Sequence, residues 1–449
     1  MRAALLSCAA AAAFLIAGQA SAETVAIVNA HIFTSGPQGE IPSGAVVLKD
    51  GRIAAVGANV QAPAGARVID ARGGVVTAGL IAADSGLGAV EVGALGDDLT
   101  SKTGDLSAAF DVQYGLDPDV TTIPVARLGG VTGAIVTPNP AGGGFGGDRD
   151  EMRDDTSGVE RSAGSVGLFA GQAAVIHLDA AAKNQLVKAK VAQIVPLGGA
   201  GAHIAGGARG VEFVKLKAIL DDVRWYAKNR GAYDRAQARD LRLSREDLEA
   251  LIPVAEGRQP LVLSVDRASD IRQALAFARD EHLKVVLDGA AEGWRVADEI
   301  AAAHVPVIVY PLQDLPGDFE SLGSTLENAG RLSNAGVTVI IKAAEGGAHR
   351  VRETRYDAGN AVAHGMKWQA ALDAITINPA RAFGVGDQLG SIEPGKMADV
   401  VVWSGDPFEP ASQPLAVFID GHQQPMTSRQ LELQKRYQDL SPGYPPQYR

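Results

Sequence analysis

The chain is poor in the residues that make thiolate and histidine sites. Of its 449 residues one is cysteine, Cys8, and eight are histidine, with no two histidines within ten positions of each other. No His-x-His or His-Glu-x-x-His motif exists. These absences exclude a disulfide framework and local paired-histidine motifs for zinc.

Long apolar runs are also absent beyond the N-terminus. Arg2 precedes an apolar stretch over residues 3–18, and Ala20-Ser21-Ala22 follows it, the pattern of a secretory signal. The stretch is shorter than the about 20 residues that span a bilayer. We expect residues 1–22 to be a signal peptide, with an uncleaved anchor as the alternative. The mature protein would be periplasmic or secreted, without cysteine and not attached to a membrane.

Positive charge is in deficit, with 41 basic against 52 acidic residues and a net charge of −11. Because the excess of acidic residues is spread along the chain, nucleic acid and anionic membrane surfaces are not expected as partners. The expected partner is a small-molecule ligand or substrate. The sequence leaves the oligomeric state open.

Two glycine-rich stretches, residues 142–147 and 198–210, lack the signatures of nucleotide binding. No Gly-Lys-Ser/Thr follows the first, and Ile204 stands where the dinucleotide fingerprint would need its third glycine. We predict that both are flexible loops and that no nucleotide cofactor binds.

Short alternating apolar segments lie at both ends of the chain and indicate β-strands. They cover residues 25–28, 45–48, 52–56, 67–70, 398–403 and 416–419. Asp50-Gly51 supplies a tight hairpin turn between the second and third of these. The pattern predicts a small composite β-sandwich domain built from both termini, residues 23–77 and 386–425, followed by a tail over 426–449.

Between these segments, residues 78–385 alternate apolar strands with helical stretches. This alternation predicts an α/β fold of parallel units, a distorted TIM-like (β/α)8 barrel. Strands are predicted at 133–136, 173–176, 261–263, 284–287, 305–309 and 337–341, and helices at 211–230, 269–281, 293–303 and 321–334.

Polar side chains that follow barrel strands converge at one rim, where barrel active sites lie. The candidates of this kind are Asp84, Asp266, Asp288, Lys342, Glu345 and His349, with Ser264 and Tyr310 beside them. Among the histidines only His177 and His349 follow predicted strands. Ordinary surface-loop positions are the alternative interpretation.

Three of these candidates, Asp84, Asp266 and Asp288, would form an oxygen-only site for a divalent metal ion if they converged. Facing carboxylates repel one another, so either a bound ion or a compensating Lys342 or Arg267 is expected. An aspartate paired with Lys342 is also a candidate for general acid–base work, although such pairs are more often structural.

Several stretches together resemble the amidohydrolase superfamily, in particular its imidazolonepropionase-like group. They are Lys-Asp-Gly-Arg-Ile at 49–53, Gly-Leu-Ile at 79–81, Ala-Ile-Thr-Ile-Asn-Pro-Ala at 374–380, Leu-Gly-Ser-Ile-Glu-Pro-Gly-Lys at 389–396 and Ala-Asp-Val-Val-Val-Trp at 398–403. The resemblance implies a distorted barrel that hydrolyses non-peptide carbon–nitrogen bonds with metal ions.

The chain departs from the family at each ligand position. The paired histidines after the first strand are Asp84 and Gly86, the fifth-strand histidine aligns with Ser264 or Asp266, and the sixth-strand histidine aligns with Gly289. The acidic base of strand eight falls near Ala344, beside Glu345. The family pattern therefore predicts no metal ligands. Two hypotheses follow: an enzyme that is metal-free or uses a carboxylate-bound ion, and a catalytically silent binding or scaffold protein.

Overall fold

The computed structural model describes residues 23–91, 98–101, 103–140, 167–343 and 348–438. The predicted signal peptide, the glycine-rich stretch 142–147 and Glu345 lie outside these residues. No helix in the described ranges combines the length and apolar character that crossing a membrane requires.

The N-terminal segment forms five strands, of which the alternating pattern predicts the first four but not β5. They are β1 (Val25–Phe33), β2 (Glu40–Lys49), β3 (Arg52–Gly57), β4 (Arg67–Asp70) and β5 (Val75–Ala78). Strands β2 and β3 pair antiparallel. Asp50 and Gly51 between them have φ angles of 51° and 74°, the left-handed conformation that a tight hairpin turn requires, so the hairpin prediction is confirmed.

A second sheet of eight strands forms the barrel. The strands are β6 (Leu80–Ser85), β7 (Val131–Val136), β8 (Gly171–His177), β9 (Leu186–Pro196), β10 (Leu261–Val265), β11 (Val285–Gly289), β12 (Val307–Val309) and β13 (Val339–Ile341), adjacent in sequence order. A parallel bridge between Ala83 and Lys342 joins β6 to β13. The distorted α/β barrel predicted from the sequence is therefore confirmed.

The expectation that all barrel units are parallel is wrong at β8, which pairs antiparallel with both β7 and β9. A short connection replaces a crossover helix between β8 and β9, because the eight residues between them are too few to hold a helix and its two loops. His177 at the end of β8 consequently pairs with Gly133 near the start of β7. It lies at the opposite rim from the other candidates, so its position after a strand was misleading.

The described helices lie mainly on the outside of the barrel. They are α1 (Thr122–Arg127), α2 (Gly198–Ala205), α3 (Arg209–Asp234), α4 (Arg245–Ala255), α5 (Ala268–Asp280), α6 (Ala297–Ala302), α7 (Asn328–Asn334), α8 (Thr354–Ala363), α9 (Trp368–Ala374), α10 (Ile377–Ala382) and α11 (Arg429–Gln438). The helices predicted at 211–230 and 269–281 are confirmed as α3 and α5.

Two predictions about helices are wrong. The stretch 198–210, expected to be a flexible loop, contains α2 and the start of α3. Its glycines permit close packing, since a Cβ at Gly201 would lie 2.3 Å from the Pro196 carbonyl oxygen. The helix predicted over 321–334 begins only at Asn328. Before it, the Asp318 carboxylate accepts the backbone N–H groups of Glu320 and Ser321, a local turn that competes with helix formation.

The C-terminal strands β14 (Val400–Trp403), β15 (Pro414–Ile419) and β16 (His422–Gln423) join the N-terminal sheet. Strand β14 pairs with β5, which makes one sheet of the order β16-β15-β14-β5-β1-β2-β3, with β4 on β1. Side chains alternate along β14, so that Val400 and Val402 enter the core of this sheet while Val401 and Trp403 enter the apolar layer between the barrel strands and the helices. The domain limits expected at 77 and 385 stay a prediction.

Asp399, directly before β14, is a buried carboxyl at the junction of the sheet and the barrel. It is 5% exposed, its Oδ1 accepts the Asp420 backbone N–H at 2.9 Å, and its carbonyl accepts the Gly79 N–H at 2.9 Å. Burial, opposed by the Asp420 backbone hydrogen bond, raises the pKa of Asp399 to about 7. The folded state therefore favours the protonated acid.

Replacing Asp399 by asparagine is expected to stabilise the protein at alkaline pH. The pKa of Asp399 is higher in the folded state than in the unfolded state. The contribution of Asp399 to stability is therefore complete below the unfolded-state pKa and is lost as the pH rises through about 7. We expect D399N to raise the free energy of unfolding by about 1–2 kcal/mol at pH 8 and to give no gain at pH 5, measured by urea denaturation. D387N, at an exposed position, is the control. An equal effect of D399N at both pH values would contradict the assignment.

Candidate functional site

Asp84 reaches the barrel mouth at the end of β6 through an unusual backbone conformation. Its φ is 50°, a left-handed value that aspartate tolerates better than most side chains. The bridge between Ala83 and Lys342 closes the barrel one residue earlier. Closure therefore places the first barrel strand's aspartate beside the last strand's lysine, although 258 positions separate them in the sequence.

The Lys342 ammonium bonds two carboxylates at once. Its Nζ lies 2.7 Å from Asp84 Oδ2 and 2.8 Å from Asp288 Oδ1. The side chains of Lys342, Asp84 and Asp288 are 15%, 18% and 13% exposed, respectively. We call these three residues the Asp-Lys-Asp cluster. Two of the three N–H donors of the lysine are engaged in it.

Hydroxyl groups bond the remaining carboxylate oxygens. Thr137 Oγ1 donates to Asp84 Oδ1 at 2.6 Å, and Ser264 Oγ donates more weakly to Asp288 Oδ2 at 3.4 Å. Ser264 was among the residues considered from the sequence, whereas Thr137 was missed. Thr137 directly follows the predicted strand 133–136, so the rule that selected the other candidates would have found it.

The surroundings of Asp84 and Asp288 shift the pKa values of the two carboxyl groups in opposite directions. For Asp84, burial opposes ionisation, but the charge and hydrogen bond of Lys342 and the Thr137 hydroxyl outweigh it and lower the pKa. For Asp288, burial dominates over Lys342, and the neighbouring Asp84 charge adds to it, which raises the pKa to about 6. Burial alone would lower the pKa of Lys342, yet the two carboxylates raise it, so the lysine stays an ammonium.

Asp266 lies near the cluster but is not hydrogen-bonded to it. Its Oδ1 accepts the Ala291 N–H at 3.0 Å, and burial raises its pKa, with Asp318 and Glu320 adding to the effect. The side chain of His349 is exposed on a short helix over 348–353. The structure thus brings together Asp84, Asp288 and Lys342 and leaves His349 apart.

Two of the positions where the family resemblance places metal-ligand histidines are glycines here, Gly86 and Gly289. A Cβ at Gly86 would lie 2.9 Å from Leu99 Cδ1, and one at Gly289 would lie 2.6 Å from Asp266 Oδ1. Neighbouring side chains therefore occupy the space of histidines at both positions. The described residues contain no group of three or more histidine, cysteine or acidic side chains arranged for a metal ion. Of the three aspartates considered for a metal ion, Asp84 and Asp288 both bond Lys342 and Asp266 bonds the Ala291 N–H, so the carboxylate metal site stays a prediction.

Comparison with known proteins agrees with this architecture. Residues 266–426 match the family model described as the amidohydrolase family. Amidohydrolase tasK of Hapsidospora irregularis is 43% identical over 58 residues, which cover 13% of this chain and 6% of that protein. Urease subunit alpha of Staphylococcus aureus strain MRSA252 is 31% identical over 137 residues, 28% of this chain and 22% of that protein. The chain thus matches less than a quarter of the length of these curated relatives.

Solved structures share the fold over most of the chain. An amidohydrolase from Thermotoga maritima MSB8 has a TM-score of 0.75 and 24% identity, covering 89% of this chain and 99% of that one. Molinate hydrolase has a TM-score of 0.53 and 19% identity, covering 90% and 95%. At these identities the likeness shows the fold alone. The match to the amidohydrolase family model thus covers the second half of the barrel and part of the terminal sheet, and the fold that the chain shares with solved amidohydrolase structures extends over most of its length.

Proposed function

We propose that this protein hydrolyses non-peptide carbon–nitrogen bonds of small molecules, amides or cyclic amides, with the Asp-Lys-Asp cluster in place of metal ions. The observation that carries the proposal is the position of the Lys342 ammonium, 2.7 and 2.8 Å from two carboxylates at the rim where barrel active sites lie. A protein cation thus balances the carboxylates. Pairs of titratable groups with separated pKa values are also typical of acid–base sites.

In this proposal Asp288 transfers the proton. In its ionised form, Asp288 accepts a proton from water while the water oxygen bonds to the substrate carbonyl carbon. In its protonated form, Asp288 then donates that proton to the substrate nitrogen while the carbon–nitrogen bond breaks. The enzyme therefore returns to its starting protonation state. A pKa of about 6 suits both directions near neutral pH. The third N–H of Lys342 is the donor for the developing negative charge on the carbonyl oxygen.

The names of structural neighbours and relatives support the choice of bond. Phenylurea hydrolase B shares the fold with a TM-score of 0.51 and 18% identity, covering 90% of this chain and 97% of that one. A phenylurea, like the substrate that the name urease implies, contains a carbonyl bonded to nitrogen. A substrate panel should therefore contain ureas as well as amides, lactams and imidazolones.

Replacing Asp288 by asparagine is expected to lower kcat/KM for a responsive panel substrate at least 100-fold, because the proton acceptor is lost. In the wild-type protein kcat/KM should rise with pH through about 6, as Asp288 ionises. The measurement is hydrolysis followed over pH 4.5–8.5, with elemental analysis of the same samples. D387N is the matched control. Hydrolysis that D288N leaves unchanged, or that follows stoichiometric metal content, would refute the proposed mechanism.

A second candidate is a catalytically silent binding protein that uses the barrel mouth. It is favoured by a specific observation: each carboxylate oxygen of Asp84 and Asp288 already has a hydrogen-bond partner within the protein. Such pairs are often structural. Panel compounds that stabilise the protein against heat without being consumed, and lose this effect in D288N, would favour binding over hydrolysis.

Export to the periplasm or the exterior is part of the proposal. It rests on the signal pattern of residues 1–22. Mass spectrometry of protein recovered from a secreting host should find Glu23 as the first residue.

A further inference from the structure

A wide groove lies at the barrel rim opposite the Asp-Lys-Asp cluster. Its volume is about 1500 Å³, and it is lined mainly by residues before or in the first half of strands β9 to β12 and by residues of helices α4, α5, α6 and α10. The residues of the Asp-Lys-Asp cluster instead lie near the C-terminal ends of their strands or directly after them. The groove is therefore separate from the proposed hydrolytic site, with the barrel core between them.

The charge of this groove is opposite in sign to that of the whole chain. Eight lysine and arginine side chains line it against three glutamates, whereas the chain carries a net charge of −11. Five of the eight cations have carboxylate partners. The other three are Lys188, Lys284 and Arg381, for which the described residues provide no carboxylate within 4.0 Å.

These three cations are available to a ligand. All three residues are exposed. Lys188 Nζ donates to the Gly384 carbonyl at 2.9 Å, a bond that holds this ammonium beside the end of α10 without neutralising it. An anion in the groove would acquire charge-assisted hydrogen bonds that the protein itself does not supply.

Two histidines in the groove occupy backbone positions that favour glycine. His282 follows α5 with a φ of 57°, and His304 follows α6 with a φ of 52°. The left-handed conformation costs a residue that has a side chain about 1 kcal/mol. Both imidazoles line the groove and add donors for an anion.

The groove is apolar between its cations. Val191, Pro260, Leu283 and Pro306 are among its lining residues. A small inorganic anion would leave this surface uncovered, whereas a molecule with an apolar body and one acidic head would contact both parts. We propose that the groove binds an amphiphilic organic anion, a carboxylate, sulfonate or phosphate on an apolar body, with Lys188, Lys284 and Arg381 as the residues that recognise the acidic head.

The test uses two fluorescent probes that share one ring system. 1-Anilinonaphthalene-8-sulfonate carries the acidic head, and N-phenyl-1-naphthylamine lacks it. We expect the full-length protein to bind the sulfonate at least 10-fold more tightly than the neutral probe, and the double variant K284E/R381E to lose at least 10-fold in affinity for the sulfonate only. Salt should weaken sulfonate binding. Decanoate and octyl phosphate as competitors distinguish a carboxylate from a phosphate ligand.

The matched control is K215E, which reverses an exposed lysine on α3 outside the groove and should change sulfonate affinity less than twofold. Circular dichroism and thermal unfolding establish that K284E/R381E is folded, and K188A provides a milder variant with an expected 3-fold loss. Equal binding of both probes, or unchanged sulfonate affinity in K284E/R381E, would overturn the proposal. Since the readout is binding at the opposite rim, the result is independent of whether the protein hydrolyses any substrate.

Discussion

Replacing Lys342 by methionine is expected to lower the free energy of unfolding by about 3–5 kcal/mol at pH 8, because two largely buried carboxylates then lack their shared cation. Without the ammonium, the folded-state pKa values of Asp84 and Asp288 would both exceed their unfolded values. Their contribution to stability is then lost as the pH rises, so the deficit of K342M should be greatest at pH 8 and smaller at pH 5. Urea denaturation at both pH values measures it.

The control for this prediction neutralises the whole cluster. In the triple variant D84N/K342M/D288N no buried charge is left without a partner, so much of the stability lost in K342M should return, and its dependence on pH should become shallow. If K342M unfolded with the wild-type free energy at pH 8, the Lys342 ammonium would not be the cation that balances these carboxylates.

Replacing Trp403 by alanine is expected to cost about 3–5 kcal/mol, as for other fully buried large aromatic residues. The side chain is 0% exposed, and its Nε1 donates to Thr77 Oγ1 at 2.9 Å. Its ring lies against Gly130, where a Cβ would be 2.4 Å from the ring. Trp403 thus extends from the terminal sheet into the apolar layer between the barrel strands and the helices, and its loss leaves a cavity at the junction.

A milder variant separates packing from hydrogen bonding at this junction. W403F keeps an aromatic ring and removes the N–H that bonds Thr77, so a smaller loss of about 1–2 kcal/mol is expected. Both variants are compared with the wild type by urea denaturation, followed by far-ultraviolet circular dichroism. A loss below about 1 kcal/mol in W403A would show that the junction does not depend on this side chain.

Local periodicity predicted six of the eight barrel strands, the family resemblance indicated β6, and β9 was not predicted. Strands alternate or run continuously apolar over four to six residues, and helices repeat on a 3.6-residue period, so both patterns are contained in short stretches of sequence. The same patterns failed where the outcome depended on strand pairing or on close backbone packing. The direction of β8 depends on its pairing with β7 and β9, and the helix α2 depends on close packing of Gly201 against Pro196.

The sequence by itself determined that this protein is an α/β barrel with a terminal sheet, and that aspartates, a serine and a lysine follow its strands. Those features depend on residue type and local order. Only the tertiary structure decided which of these side chains meet. Barrel closure brings Asp84 and Asp288 to the one ammonium of Lys342, while Asp266 takes the space beside Gly289. Spacing in the sequence cannot predict such contacts, because they depend on register and closure between strands far apart in the chain.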